Sequence, residues 1–210
     1  IQTSHAEDEY FLVAFNSAAE LLVDGVQDSE ALFRGVAALK PNGNTALYDG
    51  VALGLNQLAH ARFAKRALIL ISDGEDNRSR TSFGELRHAL KESAVSIYAI
   101  GTDPRPLPRS QGNFILGELA NASGGKAYFP VKPDGVDEAF EDIALALRHQ
   151  YSIGYEPSNF VPDGSWHHIK VALSPALKSS GARVRTREGY IATTRFSSAT
   201  IAGGTSTGGM

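Results

Sequence analysis

The chain has 210 residues, of which 42% are apolar and 20% charged, with a formal net charge of −3 and a pI near 6.1. Such a composition is ordinary for a soluble globular protein, and the length suits one domain plus a small extension. The slightly acidic balance argues against a nucleic-acid binder, and the absence of cysteine excludes a disulfide framework, a thiolate metal site and a cysteine nucleophile. The longest apolar run, Ala67 to Ile71, falls far short of the roughly 20 residues that span a bilayer. The chain opens on Ile1 rather than Met, which points to a processed or excised N-terminus, so the lack of a leader excludes nothing.

In chain order, Glu9 to Phe15 (EYFLVAF) predicts a strand. Asn16 and Ser17 make a turn, and Glu20 to Val23 a short second strand, closing a hairpin. Asp28 or Ser29 caps a helix through Leu39, with Leu32, Val36 and Leu39 at helical spacing, and Pro41, Asn42 and Gly43 end it. Asn44 or Thr45 then caps a longer helix to about Phe63, with an apolar stripe of Leu47, Val51, Leu55 and Leu58. Arg66 to Ser72 is apolar without alternation, the pattern of a strand buried on both faces in a parallel sheet under helices. It ends at Asp73-Gly74. Ser82 to Ser93 predicts a helix with Phe83, Leu86 and Leu90 on one side, and Val95 to Ile100 a strand. Asp103 to Asn113 holds three prolines and reads as a loop. Asn113 caps a helix to Ala122, with Gly124 at its left-handed C-terminal position. Lys126 to Val131 is a strand, and Val136 to His149 an amphipathic helix with Val136, Phe140, Ile143 and Leu147 facing in.

Strands alternating with helices predict an α/β fold with a doubly wound, mostly parallel sheet over 1–149. Beyond His149 the pattern changes. Gln150 to Tyr155, Trp166 to Leu173 and Ala182 to Arg187 read as strands of a small antiparallel extension over 150–195. Tyr151, Tyr155 and Trp166 are expected to pack it onto the main domain. The Ser/Thr/Gly/Ala-rich stretch 196–210 predicts a disordered tail.

Several residues carry chemistry that has a plainer explanation beside it. Thr45 taken by itself is a helix N-cap, and Asp73 a turn former before Gly74, although the end of a parallel strand is where ligands gather. Asp49 reads as a first-turn carboxylate favoured by the helix dipole, and Glu75 and Asp76 as solvated loop residues. Arg183, Arg185 and Arg187 alternate along one solvated strand face, and the adjacent His167 and His168 point to opposite faces, a poor geometry for one metal. Gly204-Thr205-Ser206-Thr207-Gly208 matches a nucleophile elbow but lacks the strand before it and the helix after it. No Gly-x-Gly-x-x-Gly run marks a dinucleotide site.

Three stretches in order resemble the von Willebrand factor A (VWA) domain family: Asn42 to Asp49 (NGNTALYD), Ala67 to Asp76 (ALILISDGED) and Val95 to Gly101 (VSIYAIG). Leu119-Ala120, Ser123-Gly124-Gly125 and Tyr128-Phe129 extend the likeness, which covers roughly Glu7 to Gln150. Gln150-Tyr151, Gly154-Tyr155, Trp166 and Arg187-Glu188-Gly189-Tyr190 are similar to the variant of this domain found in bacterial secreted proteins.

The resemblance implies a non-enzymatic adhesion or interaction module. It implies a Mg²⁺ or similar divalent cation at the carboxyl edge of the sheet, held by an Asp-x-Ser-x-Ser loop, by a threonine matching Thr45 and by an aspartate matching Asp73. An acidic side chain of a protein partner would complete the coordination. No Asp-x-Ser-x-Ser occurs in the chain; Asp163-Gly164-Ser165 continues as Trp166-His167. The family pattern places that loop, with the first strand and most of the first helix, upstream of Ile1, so cation binding is expected of the complete domain rather than of these residues by themselves. The absent strand would lie between Glu9–Phe15 and Arg66–Ser72, leaving two edges unpaired and open to completion by another chain. The resemblance also implies an extracytoplasmic bacterial location. A metal-independent assembly domain is the alternative, followed by a hydrolase or nucleotide-dependent enzyme on the same layered fold.

Overall fold

The structure is a computed structural model and describes residues 7–40, 43–103 and 110–193. The chain opens with a hairpin of β1 (Tyr10–Phe15) and β2 (Ala19–Val26), longer than the pattern predicted and bulged where the register shifts around Leu12. Next comes α1 (Ser29–Ala37), capped by the Asp28 side chain on the Glu30 amide. Its buried face is Leu32, and a Cβ added at Gly35 would meet Leu12 and Val23, so the hairpin lies against that side. Val36 and Leu39, which share a helical spacing with Leu32, are exposed.

The core forms around α2 (Leu47–Ala59), β3 (Ala67–Ser72), α3 (Phe83–Glu92), β4 (Ser96–Gly101), α4 (Gln111–Ala122) and β5 (Lys126–Tyr128). The three strands make a parallel sheet in the order β3-β4-β5. One face is covered by α2, α3 and α4, burying Leu47, Val51, Leu86, Ile97, Leu116 and Leu119. The other is covered by α5 (Asp134–Arg148), whose Ala139 and Ile143 meet Tyr98 and Ile100. Phe140, read as inward, is exposed because the buried stripe runs through Ala139 and Ile143.

Several boundaries differ from the sequence reading: α1 ends at Ala37 rather than Leu39, and α2 at Ala59 rather than near Phe63. Ser82 and Glu85 form a reciprocal capping box, so α3 starts where the sequence placed it. By contrast α4 starts two residues before Asn113, because Ser110 takes the cap by accepting from the Asn113 amide. Strand β5 stops at Tyr128, short of Val131.

The expectation of a β3 buried on both faces is overturned. Leu70 is buried, but Ile69 and Ile71 on the α5 side are 42% and 50% exposed. Among the described residues of β3, only Ala67 packs against the cluster that α5 forms with Tyr98 and Ile100. The β1–β2 hairpin also does not pair with β3, so the free edges of β1 and β3 carry no strand among the described residues. Helix α2 bridges them. A Cβ at Gly50 would lie 2.7 Å from the Phe15 ring of β1, and one at Gly54 would lie 2.9 Å from Leu68 of β3. The two glycines sit one turn apart on one helix face, so both elements approach the same backbone.

The extension is less regular than predicted. Strands β6 (Trp166–His168) and β7 (Gly189–Ile191) pair antiparallel, with a short α6 (Pro175–Ser179) between them. Residues 150–155 and 182–187 form no strand. Tyr151 is 86% exposed and does not pack on the main domain, and Tyr155 instead meets Tyr190 edge to face. Trp166 does dock as expected, with the Lys91 ammonium of α3 4.6 Å from its ring centre. The tail 196–210 and the elbow-like Gly204 to Gly208 lie outside the described residues.

The two faces of β3 predict opposite responses to truncation. Leu70→Ala, which empties a packed site, should lower the unfolding free energy by about 2–5 kcal/mol in urea melts. Ile71→Lys should change it by no more than about 0.5 kcal/mol and should reduce concentration-dependent light scattering, because it charges an uncovered edge.

Candidate functional site

Parallel strands deliver their carboxyl ends to one side of the sheet, and ligands of such folds bind there. Here the loops after β3 and before α2 meet at that side. Asp73 follows the last residue of β3 directly and is exposed. Its Oδ1 accepts the Glu75 amide at 3.0 Å, and the buried Ser72 Oγ accepts the Gly74 amide at 3.0 Å. Gly74 has φ +82°, and a Cβ there would lie 2.2 Å from the Gly112 carbonyl oxygen, so the loop rests flush on the first turn of α4.

The approach to α2 is bound to this loop by hydrogen bonds running in both directions. The Thr45 amide donates to Asn77 Oδ1 at 2.9 Å, and the Thr45 carbonyl accepts from the Asn77 and Arg78 amides at 3.0 and 3.2 Å. The Tyr48 amide donates to Asp76 Oδ2 at 3.0 Å and the Asp49 amide to Ser79 Oγ at 3.0 Å. In return, the Asp49 carboxylate accepts the Arg80 and Thr81 amides at 3.0 and 2.9 Å. Asp76 also accepts from the Ser79 hydroxyl at 2.5 Å and the Ser79 amide at 3.2 Å.

This geometry corrects two expectations and extends a third. Neither Asn44 nor Thr45 caps α2: the N-cap is Ala46 and no side chain of its own caps the helix. Asp76 is not a solvated loop residue but the anchor of the clasp. Asp49 is a cross-link to the 76–81 loop as well as a first-turn carboxylate. The signal was present as Asp76-x-x-Ser79, but its target lies 28 and 30 residues upstream, beyond any local rule.

The electrostatics follow the same contacts. Burial works against ionisation of Asp49, but the hydrogen bonds from Arg80 and Thr81 outweigh it and hold the carboxyl below its ordinary range. Burial, then the nearby Asp76 carboxylate, raises the Tyr48 phenol, whose ring lies 5.7 Å from that of Phe83.

Of the two residues matched to a cation site, Thr45 is half-buried, and its hydroxyl makes no hydrogen bond among the described residues. Both are oxygen donors of the kind Mg²⁺ selects, and the clasp places them on joined loops. Two oxygens are too few for such a cation, however, and among the described residues no three His, Asp or Glu side chains gather where they could hold a metal. The residues present do not by themselves make the site.

The extension offers a different constellation. His167 Nε2 lies 3.0 Å from Ser165 Oγ and 3.9 Å from Asp163 Oδ1. Both neighbours address the same ring nitrogen, whereas a relay needs the acid on the other one. Asp163 Oδ1 instead accepts the Ser165 amide at 2.8 Å, as in a turn. His167 stacks on Tyr190 and His168 lies edge-on to Trp166, which separates the two imidazoles as the strand alternation predicted. Arg185 lies on no strand and donates to the Gly125 carbonyl at 3.4 Å.

Several solved structures are similar to this chain in fold. The VWA-type domain of the type V pilus tip protein Mfa5 from Porphyromonas gingivalis is similar at 14% identity and TM-score 0.57, over 72% of this chain and 83% of that one. An aerotolerance-related membrane protein from Bacteroides fragilis is similar at 15% identity and TM-score 0.54, over 71% and 83%. A von Willebrand factor type A protein from Catenulispora acidiphila is similar at 20% identity and TM-score 0.52, over 66% of this chain and 33% of that one. No protein-family profile matches the chain. No curated protein matches it either. The chain therefore has a VWA-like fold, as the sequence resemblance implied.

The lowered Asp49 carboxyl makes a pH prediction. A group whose folded value is depressed contributes stability above its unfolded value, near 3.9, and loses it as pH falls through the folded value. Urea midpoints followed from neutral pH down through that range should fall, and Asp49→Asn should flatten part of the slope. Glu85, held low by Ser82, and Asp163, held low by Ser165, keep the remainder.

Proposed function

We propose that this VWA-like domain is a non-enzymatic protein–protein interaction module that binds its partner at the carboxyl ends of β3 and β4. The observation that supports this reading is the clasp, which joins the Thr45 and Asp73 loops on the side of the sheet where such folds receive ligands. In the complete domain Thr45 and Asp73 are two of the oxygen ligands of a Mg²⁺-type cation. The others come from an Asp-x-Ser-x-Ser loop outside these residues, and an acidic side chain of the partner takes the open position. The protein acts outside the cytoplasm, a placement suggested by the pilus-tip and membrane proteins with which it shares the fold. Among the described residues no helix is long and apolar enough to cross a membrane.

A second reading, a metal-independent interaction domain, is favoured by the shortage of cation ligands among the described residues. Thermal melts of a longer chain that begins upstream of Ile1, run in Mg²⁺ and in EDTA, separate the two. Only a ligand of the folded state raises its stability, by about 2.7 kcal/mol at a hundred times Kd. The cation reading expects Tm to rise with Mg²⁺ and the rise to vanish on Thr45→Ala or Asp73→Ala. A well-folded chain indifferent to Mg²⁺ would favour the metal-independent reading.

A further inference from the structure

Helix α2 is unusual in where its cap comes from. The first amides of a helix lack intrahelical partners, and a Ser, Thr, Asp or Asn at the N-cap ordinarily supplies an oxygen. The cap position is Ala46, which has no such oxygen. Thr45, one residue earlier, has a suitable hydroxyl and does not use it. The amides of Tyr48 and Asp49 go instead to Asp76 Oδ2 and Ser79 Oγ of the loop after β3, each at 3.0 Å. Ser79 Oγ donates back to Asp76 Oδ2 at 2.5 Å, so the two caps are one bonded unit.

We propose that Asp76 and Ser79 are positioning residues of the binding face: by capping α2 from a distant loop, they leave the Thr45 hydroxyl unspent and hold its loop in fixed relation to Asp73. This rests on the reading of Thr45 and Asp73 as binding residues, yet its physical core, the external cap and the spared hydroxyl, holds with or without a cation. Asn77 completes the arrangement by accepting the Thr45 amide at 2.9 Å, which fixes the threonine backbone while its hydroxyl has no hydrogen-bond partner among the described residues. Without the external cap those amides need another oxygen, and the first side-chain oxygen in sequence before the helix is Thr45 Oγ1. The threonine would turn in to serve the helix and be lost to a ligand.

Amide hydrogen exchange and threonine side-chain NMR on the 210-residue chain test this without any cation. In the Asp76→Ala, Ser79→Ala double variant, exchange at Tyr48 and Asp49 should quicken at least tenfold. The amides of Leu70 and Ala99 in the sheet should hold their rates, and the χ1 rotamer of Thr45 should change. Ser79→Thr, which keeps the hydroxyl, should behave as the parent. Unchanged protection at Tyr48 and Asp49 would overturn the proposal, as would a uniform quickening across all amides, an unmoved Thr45 rotamer, or a Ser79→Thr variant no better than Ser79→Ala. Adding Mg²⁺ to the longer chain is a separate arm: indifference there counts against the cation reading, while the exchange data decide the positioning role.

Discussion

The first turn of α2 is held by oxygen atoms that lie 28 and 30 residues further along the chain. A helix start without its own cap leaves amides that cost free energy if buried unpaired, about 1–3 kcal/mol each. Asp76 and Ser79 satisfy two of them, and Asp49 satisfies two amides of the loop in return. The carboxyl end of β3 and the amino end of α2 therefore depend on each other, and the face proposed to bind a partner is the product of that dependence.

The same helix carries the packing. Leu47, Val51, Leu55 and Leu58 bury its stripe in the main core. Gly50 and Gly54 let the Phe15 side chain of the hairpin and the Leu68 side chain of the parallel sheet approach its backbone. Since β1 and β3 share no ladder, α2 does much of the joining of hairpin to sheet. Losing the clasp would thus loosen the helix at the end nearest the proposed site and weaken its grip on both elements.

What was legible in the sequence was periodic or local. The stripe of α2, the apolar run of β3 and the start of α3 at Ser82 each announce themselves within a few residues, and the order of VWA-like motifs led to the fold. The exposure of Ile69 and Ile71 could not be read, because an apolar run states what a strand could bury and not what lies over it. The extension misled for a similar reason: Tyr151, Ile153 and Tyr155 alternate like a strand but remain exposed with no ladder to join. At the site, the positions of Thr45 and Asp73 were legible from the motifs. The work of Asp49, Asp76 and Ser79 was not, because each bonds to a segment brought near only by folding.

Whether the two segments act as one unit is open to a direct measurement, a double-mutant cycle on Asp49→Ala and Asp76→Ala by urea unfolding. The two carboxylates serve opposite directions of the same clasp and share no donor. If the clasp is a unit, the first substitution releases most of it and the second costs less than it does in the parent, with a coupling of about 0.5–3 kcal/mol. Additive losses would mean that each segment is anchored independently, and the account of a binding face built by their mutual dependence would fail.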